Sequence, residues 1–339
     1  MIKAGVIGLG KMGISHCAIL NAHPDVDLVG VCDTSKFLRW GLGKYSKLEA
    51  FDDYKKMIKE KTPDCVFIAT PTSSHFEIAK YCLDNGIHLF LEKPCCLNYS
   101  DTATLRDLAK EQKRLVQVGY HNRYLGTFRE VKRLIDNNEL GDIYHFTAEA
   151  YGPVVVKEKD ETWRSNRNEG GGCLYDYASH VINLVNFIFG DVDSVKGTSL
   201  KKIYSKNVED AVYSNLHLKS GVSGNLSVSW SEESFRKMST KISISGKKGR
   251  LEANAQEIKI YRNKSNNNSA LSGGWDLKYL TDFTEPVNFY LRGEEYSAQI
   301  DDFIRQLESG SLESINSIDY AGETDRVVEL LIKDDREGQ

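Results

Sequence analysis

Val6-Ile7-Gly8-Leu9-Gly10-Lys11-Met12-Gly13 closes an apolar run that begins at Ile2 and opens a helical pattern reaching about Ala22. Asp33 stands twenty residues beyond the last of these glycines. Strand, tight glycine turn and helix in this order read as the start of a dinucleotide-binding unit. Gly8 permits the sharp turn, Gly10 lets the backbone approach a pyrophosphate, and Gly13 allows the helix to lie close to the sheet. Leu9, Lys11 and Met12 complete the turn. The helix N-terminus offers unpaired N–H groups and the positive end of its dipole to the phosphates. Asp33 ends a second apolar strand, Leu28–Cys32, where its carboxylate can accept hydrogen bonds from ribose hydroxyls. That carboxylate repels a 2′-phosphate, so NAD is favoured over NADP as the cofactor.

Strands and helices go on alternating to about residue 120. Helices are expected near Lys36–Tyr45, Asp53–Lys59, Ser74–Asn85 and Ser100–Gln112, with strands at Cys65–Ala69, Ile87–Leu91 and Leu115–Val118. Apolar strands separated by helices indicate a parallel sheet covered on both faces, a doubly wound α/β domain over residues 1–120. After a helix near Thr127–Asn137 the pattern changes. Strands are expected over 143–152, 192–204, 208–218, 222–231, 239–247 and 257–262, several with period-two alternation, interrupted by one helix from Tyr175 to Phe189. Residues 121–339 therefore read as an α+β domain with a mostly antiparallel sheet. Two closing helices, about Tyr296–Glu308 and Ala321–Ile332, are expected to pack back on one of the domains. The Asn/Ser/Gly-rich stretch Asn263–Gly274 reads as a loop without an assigned role.

Composition excludes several functions. A chain of 339 residues with 40% hydrophobic and 27% charged residues has room for two cores, and its net charge of −4 points neither to nucleic acid nor to an anionic membrane. No apolar run approaches membrane-spanning length, and a first strand at Ile2 leaves no room for a signal peptide, so a cytoplasmic location is expected. The seven cysteines are odd in number and lack metal-ligand spacing, so no metal is expected and most thiols read as small core residues. A reactive thiol at Cys95 or Cys96 is the alternative.

Ligands of open parallel sheets bind beyond the carboxyl ends of the strands. Three strand ends here carry polar residues: Ala69-Thr70-Pro71-Thr72 with His75, Glu92-Lys93-Pro94, and Gly119-Tyr120-His121-Asn122-Arg123. Thr70, Pro71, His75, Glu92, Lys93 and Asn122 are accordingly expected beside the cofactor. An ammonium at Lys93 can hydrogen-bond the oxygen of a reacting alcohol and stabilise the alkoxide that develops there. A second constellation is Gly170-Gly171-Gly172-Cys173-Leu174-Tyr175-Asp176-Tyr177-Ala178-Ser179-His180. Asp176 and His180 are four apart at a helix start and share a face. An imidazole titrates near neutrality and suits a hydroxyl proton, and a neighbouring carboxylate orients it. Just upstream, Trp163 and Arg164, with Arg123 earlier, are candidates for a substrate's ring face and negative charge, the alternative being local ion pairs with Glu158 or Glu161.

With these motifs in this order, the chain resembles the Gfo/Idh/MocA oxidoreductases over nearly its whole length. The resemblance implies an N-terminal Rossmann domain and a C-terminal domain whose open-faced sheet carries a homodimer or homotetramer interface. By position Lys93, Asp176 and His180 match the family's catalytic set, with His180 as general base, and Glu92 and Pro94 match the loop flanking the nicotinamide. Cys95-Cys96 departs from the small or aliphatic residues usual after the Lys-Pro pair. The implied activity is hydride transfer between NAD and a secondary hydroxyl of a sugar, cyclitol or nucleotide sugar, a small-molecule substrate. Two other readings are an NAD-using glycosidase working by transient oxidation and elimination, and a non-catalytic dinucleotide-binding regulator.

Overall fold

The computed structural model describes residues 1–45, 48–158, 162–263 and 274–338. The chain divides into two units, Met1–His121 with Pro286–Gly322, and Asn122–Glu285 with the residues from Glu323 onward. In the first unit, β1 (Ile2–Ile7), α1 (Lys11–Ala22), β2 (Val26–Cys32), α2 (Lys36–Tyr45), β3 (Ala50–Phe51) and α3 (Tyr54–Lys61) form one half. The other half is β4 (Cys65–Ile68), α4 (His75–Asp84), β5 (His88–Leu91), α5 (Tyr99–Glu111) and β6 (Val116–Val118). All six strands are parallel, in the order β3-β2-β1-β4-β5-β6. This is the doubly wound order whose strand sequence reverses between β1 and β4 and opens a crevice there.

Continuous burial on β4 and β5 has a direct cause: both faces of the sheet are covered. On one face Phe67 and Phe90 stack with centroids 4.9 Å apart. Phe303 meets both rings edge-on, at 5.4 and 5.9 Å. Phe303 comes from α8 (Glu294–Ser309), whose Ile300 and Ile304 join the same core, so this late helix belongs to the first unit. Fully burying an aromatic ring stabilises by about 1.5–3 kcal/mol, which explains why the chain returns to complete this face. The other face gathers Ile68, Ile78, Leu83, Leu89 and Leu105.

The second unit holds α6 (Gly126–Asp136), β7 (Ile143–Tyr151), α7 (Ser179–Phe189), β8 (Val192–Lys201), β9 (Ala211–Leu218) and β10 (Ser223–Ser229). β11 (Ser239–Gly246), β12 (Gly249–Asn254), β13 (Glu257–Arg262) and β14 (Gly274–Tyr279) complete an eight-stranded sheet in the order β14-β13-β12-β11-β7-β10-β9-β8. Every neighbouring pair is antiparallel except β7 with β10. Period-two alternation places Phe146, Ala148, Ala150, Ile242 and Ile244 on one buried face, against which α6 and α7 pack. The chain ends in α9 (Ile318–Glu337).

Sequence periodicity misses three strands. β3 is two residues long, too short to show a period. β14 is largely exposed and lies at the sheet edge, where packing asks for little hydrophobicity. β12 alternates buried Leu251 and Ala253 with charged Arg250 and half-buried Glu252, directly after the Lys247-Lys248-Gly249 turn. β8 and β9 are also shorter than their patterns suggest. Asp210 accepts the backbone N–H groups of Ile203, Tyr204 and Ser205 at 2.6–2.8 Å and the Trp230 indole N–H at 2.7 Å, closing the connection as a turn. Among the described residues no helix is long and apolar enough to cross a membrane. All seven cysteines are buried and form no disulfide, Cys95 and Cys96 join the apolar core, and no group of three or more metal-ligating side chains occurs among the described residues. The loop expected at Asn263–Gly274 lies, but for its two end residues, outside the described residues.

Candidate active site

Strand register arranges the carboxyl edge of the first unit's sheet. Ile7 is paired with Cys32 on one side and Ile68 on the other, Ile68 with Leu91, and Leu91 with Val118. The residues that follow therefore form a row across the carboxyl edge of the sheet: Asp33, Gly8, Ala69, Glu92, Gly119. Adjacent strands are about 4.8 Å apart, so Glu92 lies about two strand spacings from the glycine turn, on the side opposite Asp33. A dinucleotide with its pyrophosphate over Gly8–Gly13 would run its adenosine half toward Asp33 and its nicotinamide half toward Ala69 and Glu92.

The turn fits such a ligand. Gly8 has φ +91°, and a Cβ on Gly13 would lie 1.8 Å from the Gly8 carbonyl oxygen, so helix and turn touch backbone to backbone. Over Gly10 there is open space, and no side chain caps α1, which leaves its first N–H groups facing that space. Asp33 accepts the Leu9 N–H at 2.6 Å and the Ser35 N–H at 2.7 Å. One carboxylate thus fixes the glycine turn and stands at the end of β2. Arg39 donates to the Asp33 carbonyl oxygen at 2.6 Å, bracing the same corner. Lys11 is exposed and Met12 half-buried at the turn.

His75 does not present its ring to a ligand. It is 1% exposed. Nδ1 lies 3.1 and 3.2 Å from the Pro94 and Cys95 carbonyl oxygens, and Nε2 lies 3.0 Å from that of Thr70. Burial pushes its pKa down despite these carbonyls. The ring ties the Thr70-Pro71 loop to the Lys93-Pro94 loop. Glu92 is buried and accepts a hydrogen bond from His16 Nε2 at 2.7 Å. Burial alone would raise the Glu92 carboxyl; the His16 hydrogen bond, then the charges of His16 and Lys93, outweigh it and hold the group below its ordinary value. Lys93, half-buried, follows directly. His16 is missed by the sequence motifs, although a histidine on the inner face of an otherwise apolar helix is a visible signal.

In the second unit, the triple glycine fastens a helix start. Gly172 N–H donates to the Arg164 carbonyl oxygen at 3.1 Å, and Gly171 N–H to that of Asn166 at 3.0 Å. Gly172 has φ +109°, and a Cβ there would lie 2.3 Å from Glu209 Oε1. Glu209 is nearly fully buried and accepts the Leu174 N–H at 3.0 Å, while its backbone oxygen accepts that of Cys173 at 2.9 Å. A carboxylate at a helix N-terminus satisfies otherwise orphaned donors. Residues Leu174–Ala178 then wind as a π-helical turn before α7 begins. The expected α-helical i, i+4 relation of Asp176 and His180 is therefore modified by a wider turn, of a kind frequent at functional sites.

Asp176 pairs with Arg164, whose Nε lies 3.3 Å from its carboxylate and whose guanidinium covers the Trp163 ring at 4.4 Å. Trp163 is 40% exposed and His180 5%. Arg164 thus pairs with Asp176 and not with Glu158; Glu158 pairs with Lys206, and Glu161 lies outside the described residues. Arg123, expected at a substrate, is fully buried instead. Its Nε donates to Asn183 Oδ1 at 2.6 Å, its Nη2 to the Asn183 carbonyl oxygen, and it covers the Phe187 ring at 5.1 Å. It grips α7 one turn after His180. Asn122 is buried with its amide nitrogen unpartnered among the described residues, a donor available to a ligand.

Residues 2–120 match the model of an oxidoreductase family with an NAD-binding Rossmann fold, Gfo/Idh/MocA, and residues 128–252 match a C-terminal domain of that family. The chain is 25% identical over 252 residues to D-glucoside 3-dehydrogenase of Escherichia coli, covering 69% of this chain and 70% of that protein. It is 24% identical over 327 residues to myo-inositol 2-dehydrogenase of Thermotoga maritima, covering 94% and 92%. Levoglucosan dehydrogenase, solved in complex with NADH, shares the fold with a TM-score of 0.89 at 18% identity, over 99% of this chain and 97% of that one.

Proposed function

The chain belongs to the Gfo/Idh/MocA family and is an NAD-dependent oxidoreductase of CH–OH groups, and from that premise we propose a cyclic polyol substrate, oxidised at a secondary hydroxyl with Lys93, Asp176 and His180 carrying the chemistry. The observation that carries this reading is the built helix start of the second unit, where Glu209 and Gly172 hold a carboxylate and an imidazole in sequence on one turn. Bound NAD supplies the hydride acceptor. His180 takes the hydroxyl proton as general base. Asp176, half-buried and paired with Arg164, orients the imidazole or a substrate hydroxyl. Lys93 donates a hydrogen bond to the reacting oxygen, strongest as that oxygen gains alkoxide character. Trp163 offers an apolar ring surface suited to a sugar or cyclitol face, with Arg164 beside it for a negatively charged substituent such as that of a nucleotide sugar. The outer face of the second sheet carries Thr147, Glu149, Tyr213, Ser227 and Lys241, and supports assembly of the chain as a homodimer or homotetramer.

The test is a screen of inositols, free sugars, uronates and sugar nucleotides for reduction of NAD, repeated with NADP. At least one cyclic polyol reduces NAD, and NADP works poorly because Asp33 faces its 2′-phosphate. A protein that binds NADH but oxidises none of these classes with either cofactor contradicts the substrate class. Preference for NADP overturns the role given to Asp33.

A further inference from the structure

A site that uses Lys93 on an alcohol carries an electrostatic conflict. The ammonium favours the developing alkoxide and disfavours the oxidised nicotinamide, which is itself a cation. The first unit contains the compensating charge. Glu92 directly precedes Lys93, at the sheet edge toward which the nicotinamide half of the cofactor would run, and one of its oxygens also accepts the Lys93 N–H at 3.3 Å. Its other oxygen accepts from His16 Nε2, and His16 Nδ1 is buried without a partner among the described residues. His16 packs against the stacked Phe67 and Phe90, with ring centroids 5.8 and 5.2 Å away. With Nδ1 unpartnered among the described residues, the Glu92 carboxylate is the group that the His16 ring serves.

We infer that His16 holds Glu92 as an anion beside Lys93, so that the site accepts the cationic oxidised nicotinamide in preference to the neutral reduced ring. His16 is then a positioning residue for redox-state selectivity, and the inference rests on the NAD-dependent reading above. The groups facing Glu92 support it. His75 from α4 and His121 from the turn after β6 both lie against it, and burial lowers both, His121 to about 4, so neither brings a charge at neutral pH. Tyr296 of α8, stacked on His121 at 4.7 Å, is raised to about 12 by burial and stays neutral. Arg292 covers the Tyr296 ring at 5.3 Å and adds a second cation to Lys93. Glu295 of α8 also acts on Tyr296, and Glu92 is the carboxylate directly beside Lys93.

The experiment is calorimetric titration of the whole protein with NAD and with NADH, giving the ratio of the two dissociation constants. Glu92→Gln keeps the shape and the acceptor but removes the charge, and shifts the ratio about tenfold toward NADH, equivalent to about 30 mV in the bound couple. His16→Phe keeps the aromatic contacts and removes the donor. Burial then counts for more, the Glu92 carboxyl moves up, and the ratio shifts the same way; raising the pH favours the Glu92 anion again and restores it. His16→Gln, which retains an N–H donor, stays near the wild-type ratio. Variants that bind both cofactors at the wild-type ratio overturn this inference alone. A wild-type protein that binds neither cofactor overturns the NAD-dependent reading and this inference with it. If His16→Phe fails to fold, Glu92→Gln still decides the matter.

Discussion

His180→Ala lowers kcat by about 10²–10⁴-fold, the usual contribution of a positioned general base, while NADH affinity is unchanged. The separation is expected because His180 sits on a helix of the second unit, whereas the glycine turn and Asp33 belong to the first. Truncating a 5% exposed ring also leaves a small void beside α7, so thermal stability falls modestly. Steady-state rates at saturating NAD, with NADH titration and a melting curve for the same preparation, separate the two effects. Raising the pH restores part of the lost rate, since solvent hydroxide can replace the missing base. A variant that turns over at wild-type rates removes His180 from the mechanism.

Lys93→Ala is the second large effect, a loss of about 10²–10³-fold in kcat, comparable to removing one donor to a developing oxyanion. Its sign in cofactor binding is opposite to that of the Glu92 substitution. Removing the ammonium takes away a repulsion from the oxidised ring, so NAD binds as well as or better than in the wild type while turnover collapses. Loss of NAD affinity together with turnover would instead mean that Lys93 serves to hold the cofactor.

Much of the first unit is legible because its constraints are local. Gly8 and Gly13 are demanded by backbone geometry, Gly10 leaves open space over the turn, and Asp33 stands at the end of β2, so sequence distance and spatial role coincide. The second unit is less legible. β14 pairs through backbone hydrogen bonds while its side chains are largely exposed, leaving little periodicity to read, and β12 alternates over only six residues directly after a charged turn. Side-chain roles follow the same division. His75 and Arg123 look like ligand-facing residues in a polar loop, and packing turns both inward, onto loop carbonyls and onto Asn183. The reverse holds for His16 and Glu209, which lie in stretches that read as ordinary helix and strand boundary. Only the tertiary partners, Glu92 and the Leu174 N–H, reveal their positions. The π-helical turn before α7 leaves no trace in residue spacing at all.

The central claim is net hydride transfer from a polyol carbinol carbon to NAD. Its most direct test is a single-turnover reaction with the substrate deuterated at that carbon, followed by recovery of the cofactor and product. The account predicts the label in reduced cofactor, in equal amount with a ketone product. Deuterium returned to the product, with no reduced cofactor accumulating, would contradict it and point to transient oxidation in the service of another bond cleavage.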